Sequence, residues 1–200
     1  MIADPSEKDK IYLSNVEKIG NSIDNIIYIE NILSKEEHEV LLHYVKNHNT
    51  WTVQPWFSKT IGSHELSVEF VNMLNKIFEL VYKKAVDTYD VAIDYFKKDS
   101  LHLVQFDEGF ELVPHVDTLS SEGNHIASVY YINDDYTGGE INFPDYNLKI
   151  KPKANSLIIF PGNENYVHEV LKIYDNPRYS SAMWLQFTGS TFNKKAEWYN

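Results

Sequence analysis

Pro114-His115-Val116-Asp117 places an imidazole and a carboxylate two residues apart. On an extended chain successive side chains alternate faces, so His115 and Asp117 project to one side and Val116 to the other. A second imidazole, His168, lies in a later strand-like stretch, and Arg178 follows it. Two histidines and one carboxylate suit a divalent first-row metal such as Fe(II), and three protein ligands leave coordination positions open for chemistry. Structural zinc normally takes four protein ligands, and no fourth is evident. Taken alone, a His-x-Asp is more often a hydrogen-bonded pair than a metal site. With 8 histidines in the chain, a downstream partner is easily found by chance. The case therefore rests on what surrounds these residues.

Tyr174-Asp175-Asn176-Pro177 reads as a turn, after which Arg178 opens a strand. Arg178, Ser180, Ala182 and Trp184 share one face of that strand. If the face is interior, the guanidinium presents a rigid fork to a carboxylate, and Ser180 adds a hydroxyl. The competing reading is a surface arginine paired with an acidic side chain.

The elements that must position these residues are legible from periodicity. Residues 1–25 are polar and weakly patterned and are expected to form a lead-in. Ile26-Ile27-Tyr28-Ile29 is a short strand. Ser34-Lys35-Glu36-Glu37 is a capping box opening a helix with Val40, Leu41, Tyr44 and Val45 on one face. Residues 49–64, with Trp51, Trp56 and Phe57, read as a loop. A second helix over 65–89 carries Phe70, Leu74, Ile77, Phe78 and Val81 at helical spacing. Beyond residue 95 the period becomes strand-like. Strands are expected at 99–106, 111–117, 125–132, 139–143, 147–151, 156–160, 166–171 and 179–187, separated by turn signals. The fold class is mainly β (α+β), a sandwich or jelly roll with N-terminal supporting helices outside one sheet. A single domain over 26–200 is expected, with helical support at 26–95 and a β core at 96–188.

Composition narrows the partners. The formal net charge of -11 argues against nucleic-acid binding, which depends on basic side chains neutralising phosphates. There are no cysteines, which excludes disulfides, thiolate catalysis and cysteine-bound zinc. No run is long and apolar enough to span a membrane. A soluble cytoplasmic protein is the expectation, and the oligomeric state is not legible. The 14 Tyr, 10 Phe and 4 Trp suit an aromatic-lined interior.

The residues from Leu101 to Phe187 resemble the prolyl-4-hydroxylase-like 2-oxoglutarate/Fe(II) dioxygenases. The matching elements occur in family order. They are Phe106 and Gly109 ahead of Pro114-His115-Val116-Asp117, then Val129-Tyr130-Tyr131-Ile132-Asn133-Asp134, Gly138-Gly139-Glu140-Ile141-Asn142-Phe143-Pro144, Lys151-Pro152-Lys153, Ser156 to Phe160, and His168-Glu169-Val170 through Arg178-Tyr179-Ser180 to Trp184. Ile27 to Val45 is similar to the strand and helix that precede this domain. The resemblance implies a double-stranded β-helix and an Fe(II) site made of His115, Asp117 and His168. It implies that Arg178 binds the distal carboxylate of 2-oxoglutarate, with Tyr131 and Ser180 assisting and Trp184 lining the pocket. Gly138-Gly139 is read as a tight turn needing positive φ. The implied co-substrates are 2-oxoglutarate and O2, with ascorbate admitted as an auxiliary reductant.

The implied reaction couples oxidative decarboxylation of 2-oxoglutarate to hydroxylation of an unactivated C–H bond. A prolyl residue in a peptide or protein is the family-weighted substrate; a free amino acid or other small molecule is the alternative. Loops 49–64 and 118–125 are expected near the mouth. Phe106 and Leu112 stand where many members carry Tyr, which weakens any transfer of substrate identity. Two further readings stay open: a non-catalytic jelly-roll binding module, and a cupin-type dioxygenase without a 2-oxo acid. The first does not explain why all four residues are present, and the second leaves Arg178 unexplained.

Overall fold

The computed structural model describes residues 6–54, 59–94 and 101–189. In chain order these form α1 (Glu7–Ile19), β1 (Ile27–Glu30), α2 (Lys35–Asn47), β2 (Lys59–Gly62), α3 (Val68–Tyr89), β3 (Ile93–Asp94), β4 (His102–Phe106), β5 (Leu112–His115), β6 (Ile126–Tyr131), β7 (Thr137–Gly138), β8 (Ile141–Phe143), β9 (Leu148–Ile150), β10 (Ser156–Pro161), β11 (His168–Val170), β12 (Ile173–Tyr174) and β13 (Arg178–Phe187). All strand pairs are antiparallel. The major sheet runs β1-β10-β6-β13-β4-β2, with β3 also on β13. The minor sheet runs β5-β11-β8-β9, and β12 pairs with β7.

The alternation of a strand divides the major sheet into two apolar faces. Leu103, Tyr130, Leu157, Ile159, Met183, Leu185 and Phe187 point to the helices and join Leu41, Val45, Leu74, Ile77, Phe78 and Val81 in the larger core. Ala127, Tyr131, Ile158 and Phe160 point the other way, to Ile141 and Phe143 of the minor sheet. The expected jelly-roll layering, with helices outside one sheet, is what the chain adopts. The two sheets do not close into a barrel.

The helix starts follow local chemistry. At α2 the Ser34 hydroxyl accepts from the Glu37 N–H at 3.2 Å, and the Glu37 carboxylate accepts from the Ser34 N–H at 3.1 Å. This is the reciprocal capping box expected from the sequence. α3 begins at Val68 instead of residue 65, because 63–65 forms a short 3-10 turn first.

The N-terminal segment departs from the expected lead-in. Glu7–Ile19 is a helix with its own capping box between Ser6 and Asp9. Its Tyr12 and Val16 lie one helical turn apart and are buried in the helix-side core. A charged helix with a narrow apolar stripe reads as weakly patterned, and here that stripe is enough to dock it. Two other expectations change. Within 49–64, Lys59–Gly62 forms a strand on the outer edge of β4. Trp51 packs on the helix-side core, its ring 5.9 Å from that of Tyr179, and it does not line the cavity described below. Trp56 and Phe57 lie outside the described residues.

Candidate active site

Between the sheets lies a cavity of about 330 Å³. Its walls include Val104, Phe106, Leu112, Ala127, Ile141 and Phe160, and into it face His115, Asp117, His168, Tyr131, Arg178, Ser180 and Trp184. Every residue singled out for the site from the sequence therefore meets at one place.

The minor sheet brings the two histidines together. β5 and β11 pair so that His115 stands directly opposite His168, with ring centroids 4.3 Å apart. His115 Nδ1 is 2.8 Å from the Val113 carbonyl oxygen, and His168 Nδ1 is 3.1 Å from that of Tyr166. A carbonyl oxygen only accepts, so Nδ1 carries the proton in both rings and Nε2 keeps its lone pair. That is the state in which an imidazole binds a metal. Burial, with the neighbouring His115 adding to it, pushes the His168 pKa down to about 4, so its ring is neutral near pH 7.

Asp117 reaches the site differently from the expectation. β5 ends at His115, so Asp117 is not on a strand. The N–H groups of Asp117 and Thr118 both donate to the Gly162 carbonyl, at 2.9 and 3.0 Å. Gly162 lies one residue beyond β10, in the segment leading to β11. A Cβ at Gly162 would stand 2.3 Å from the Asn124 carbonyl oxygen and 3.0 Å from Asp117 Cβ, so glycine permits this approach. The Trp184 indole N–H donates to Asp117 Oδ2 at 3.3 Å. Burial raises the Asp117 carboxyl pKa above its ordinary value, opposed by His115 and the Trp184 hydrogen bond.

One donor atom from each of His115, Asp117 and His168 lies within 4.8 Å of the others. Two imidazoles with free Nε2 lone pairs and one half-buried carboxylate fit a divalent metal with positions to spare.

Arg178 opens β13 and is buried, at 2% exposure. Its Nη1 donates to the Gly139 carbonyl at 3.1 Å, while Nε is buried without a partner. The guanidinium lies 4.7 Å from the Phe106 ring centroid and 5.5 Å from that of Tyr131. A desolvated guanidinium with an unpaired donor, facing a cavity, is suited to receive an anion. Ser180 sits directly across the ladder from Tyr131, and both line the same space. Burial pushes the Tyr131 pKa up to about 12, so its phenol remains a donor at neutral pH. Gly138 and Gly139 have φ of 69° and 65°, as a tight turn demands. Their second use, offering the Gly139 carbonyl to Arg178, has no signature in the sequence. The same holds for the carbonyls of Val113, Tyr166 and Gly162, since every residue carries one.

A jelly roll whose inter-sheet cavity gathers two histidines, an aspartate and a buried arginine has the architecture of a metal-dependent oxygenase. Residues 101–186 match the family model described as the 2OG-Fe(II) oxygenase superfamily. Proteins of that superfamily use Fe(II) with the co-substrates 2-oxoglutarate and O2, and the His115, Asp117 and His168 cluster is a candidate site for such an iron. Comparison with curated protein sequences gives no match.

Solved structures share the fold. A prolyl hydroxylase from Trichoplax adhaerens, in complex with a hypoxia-inducible-factor peptide fragment, superposes with a TM-score of 0.66 at 19% identity, covering 92% of each chain. A Pseudomonas putida prolyl-4-hydroxylase gives 0.65 at 14%, covering 90% of this chain and all of the other (100%). The viral collagen prolyl hydroxylase of Paramecium Bursaria Chlorella virus-1, as its 2OG complex, gives 0.64 at 17%, covering 82% of this chain and 96% of that one.

Proposed function

We propose that this protein is an Fe(II)- and 2-oxoglutarate-dependent hydroxylase of a prolyl residue in a peptide or protein. The observation that carries the reading is the convergence of His115, Asp117 and His168 on one point of a cavity that Arg178 also lines. Here His115 and His168 would bind the metal through Nε2 and Asp117 through a carboxylate oxygen. Bound Fe(II) and 2-oxoglutarate supply the O2 chemistry that yields succinate, carbon dioxide and the hydroxylated product. Arg178 would pair with the distal carboxylate of the 2-oxo acid, with the Tyr131 and Ser180 hydroxyls beside it. The apolar walls exclude water and confine the substrate C–H near the metal. The prolyl assignment is supported by the shared fold of three prolyl hydroxylases. We take 26–200 as one catalytic unit with its β core at 96–188. The cytoplasm is the compartment we propose, in keeping with a cysteine-free chain that needs no oxidising environment.

Anaerobic calorimetry with Mn(II), then with 2-oxoglutarate, tests the cofactor assignment: the 2-oxo acid binds only after the metal. Succinate release stimulated by proline-containing peptides tests the substrate. Stimulation by a free amino acid and by no peptide would replace the prolyl assignment while leaving the dioxygenase intact.

A further inference from the structure

Asp117 lies beyond the end of β5, so no ladder hydrogen bond orients it. Its backbone is held by Gly162, but its carboxylate is a separate matter. A carboxylate turns about its terminal torsion over a broad range and can offer a metal one oxygen or two. The hydrogen bond that meets it comes from across the cavity, from the indole of Trp184 to Oδ2.

The surroundings of Trp184 let that indole lean inward. Directly across the ladder stands Ala127, and Ala182 precedes it on the same face. These two methyl side chains leave room over the sheet. On its other side the indole stacks on the buried His102 ring, with centroids 6.0 Å apart and planes 22° apart. The ring is thus held in place and its N–H is aimed at one oxygen.

We infer that Trp184 is a positioning residue that engages Oδ2 of Asp117 and leaves Oδ1 alone to serve the metal. This rests on the metal reading of the site. A one-oxygen carboxylate with two imidazoles uses three coordination positions and leaves the remainder for the two donor atoms of a 2-oxo acid and for O2. A two-oxygen carboxylate uses one position more, at the expense of the co-substrates. Trp184 therefore acts on metal and 2-oxo acid binding through the Asp117 carboxylate.

The test replaces Trp184 with benzothienylalanine, which keeps the bicyclic ring and exchanges the N–H for sulfur; Trp184→Phe is the second variant. Calorimetry of Mn(II), then of 2-oxoglutarate on the Mn(II)-loaded protein, gives two readouts independent of turnover. Loss of a hydrogen bond to a metal ligand weakens metal binding by about 10- to 100-fold. The expected result is a drop of that size in Mn(II) affinity for both variants, with weaker 2-oxoglutarate binding at saturating Mn(II). Trp51→Phe, at a tryptophan outside the cavity, leaves both affinities as they were. Wild-type values in the Trp184 variants overturn this inference alone. A wild-type protein that binds no Mn(II) overturns it together with the metal assignment.

Discussion

His115 and His168 are cross-strand partners, one residue on each of two adjacent antiparallel strands, with ring centroids 4.3 Å apart. Each donates its Nδ1 proton to a backbone carbonyl two residues before it, Val113 and Tyr166 respectively. Pairing register and tautomer are thus set by the same two strands and the short segments entering them. Asp117 is added by a different device, the Gly162 carbonyl that receives two N–H groups.

Arg178→Ala is expected to raise the 2-oxoglutarate concentration needed for half-maximal turnover. Removing one partner of a buried charge pair costs about 2–5 kcal/mol, or roughly 30-fold to 1000-fold and more in apparent affinity. Succinate formation against 2-oxoglutarate concentration measures it. Arg178→Lys recovers part of the loss, since it restores charge without the fork. An unchanged requirement in the alanine variant would move the carboxylate site elsewhere.

Asp117→Asn separates binding from stability. Burial disfavours the Asp117 charge in the metal-free protein. An amide keeps an oxygen for the Trp184 N–H and removes the charge. The metal-free variant should melt at or above the wild-type temperature in the presence of a chelator while losing Mn(II) binding. A clearly lower melting temperature would show that the carboxylate stabilises the metal-free fold.

Gly162→Ala tests the support of Asp117 from behind. The added methyl would stand 2.3 Å from the Asn124 carbonyl oxygen, so backbone must shift. Overpacking of this kind costs about 1–3 kcal/mol. The variant is expected to unfold at lower urea concentration and to bind Mn(II) more weakly. Wild-type behaviour in both would mean that the segment relaxes freely.

Acid should loosen the fold through His125. Its Nε2 is 3.2 Å from the Ser120 carbonyl oxygen, and its Nδ1 accepts the Phe187 N–H at 2.8 Å. The Nδ1 contact requires the neutral ring, whereas the Nε2 N–H donates to Ser120 in either state, and burial pushes the pKa from 6.5 down to about 4. Below pH 6.5 the unfolded chain takes up a proton that the folded ring refuses, so stability falls with acidification until about pH 4. The loss attributable to this ring approaches about 3 kcal/mol over that window. Urea unfolding of wild type and His125→Gln at a series of pH values isolates it, because other groups cancel in the difference. Parallel curves for the two proteins would remove His125 from the account.

Legibility differed by the kind of information each feature needs. Strands β4, β5, β6, β8, β9, β10, β11 and β13 follow alternation and turn residues, β7 and β12 do not, and the face shared by Arg178, Ser180, Ala182 and Trp184 follows from a period of two. The α2 capping box is a local exchange between Ser34 and Glu37, so it reads directly. α1 does not, because its apolar stripe is narrow and only the core that receives Tyr12 and Val16 gives it meaning. The strand expected over 111–117 ends early because the Gly162 carbonyl takes the Asp117 N–H. That contact joins residues far apart in sequence through backbone atoms, which carry no residue-specific mark.

The direct opposition of His115 and His168 also bears on how such a chain tolerates insertions and deletions. One residue added within 112–115 or 168–170 would turn the following side chain to the opposite face and separate the pair. Length can change without that penalty in connections such as 119–123 and 175–177. A library of single-residue insertions selected for activity should come back empty in β5 and β11 and populated in those turns.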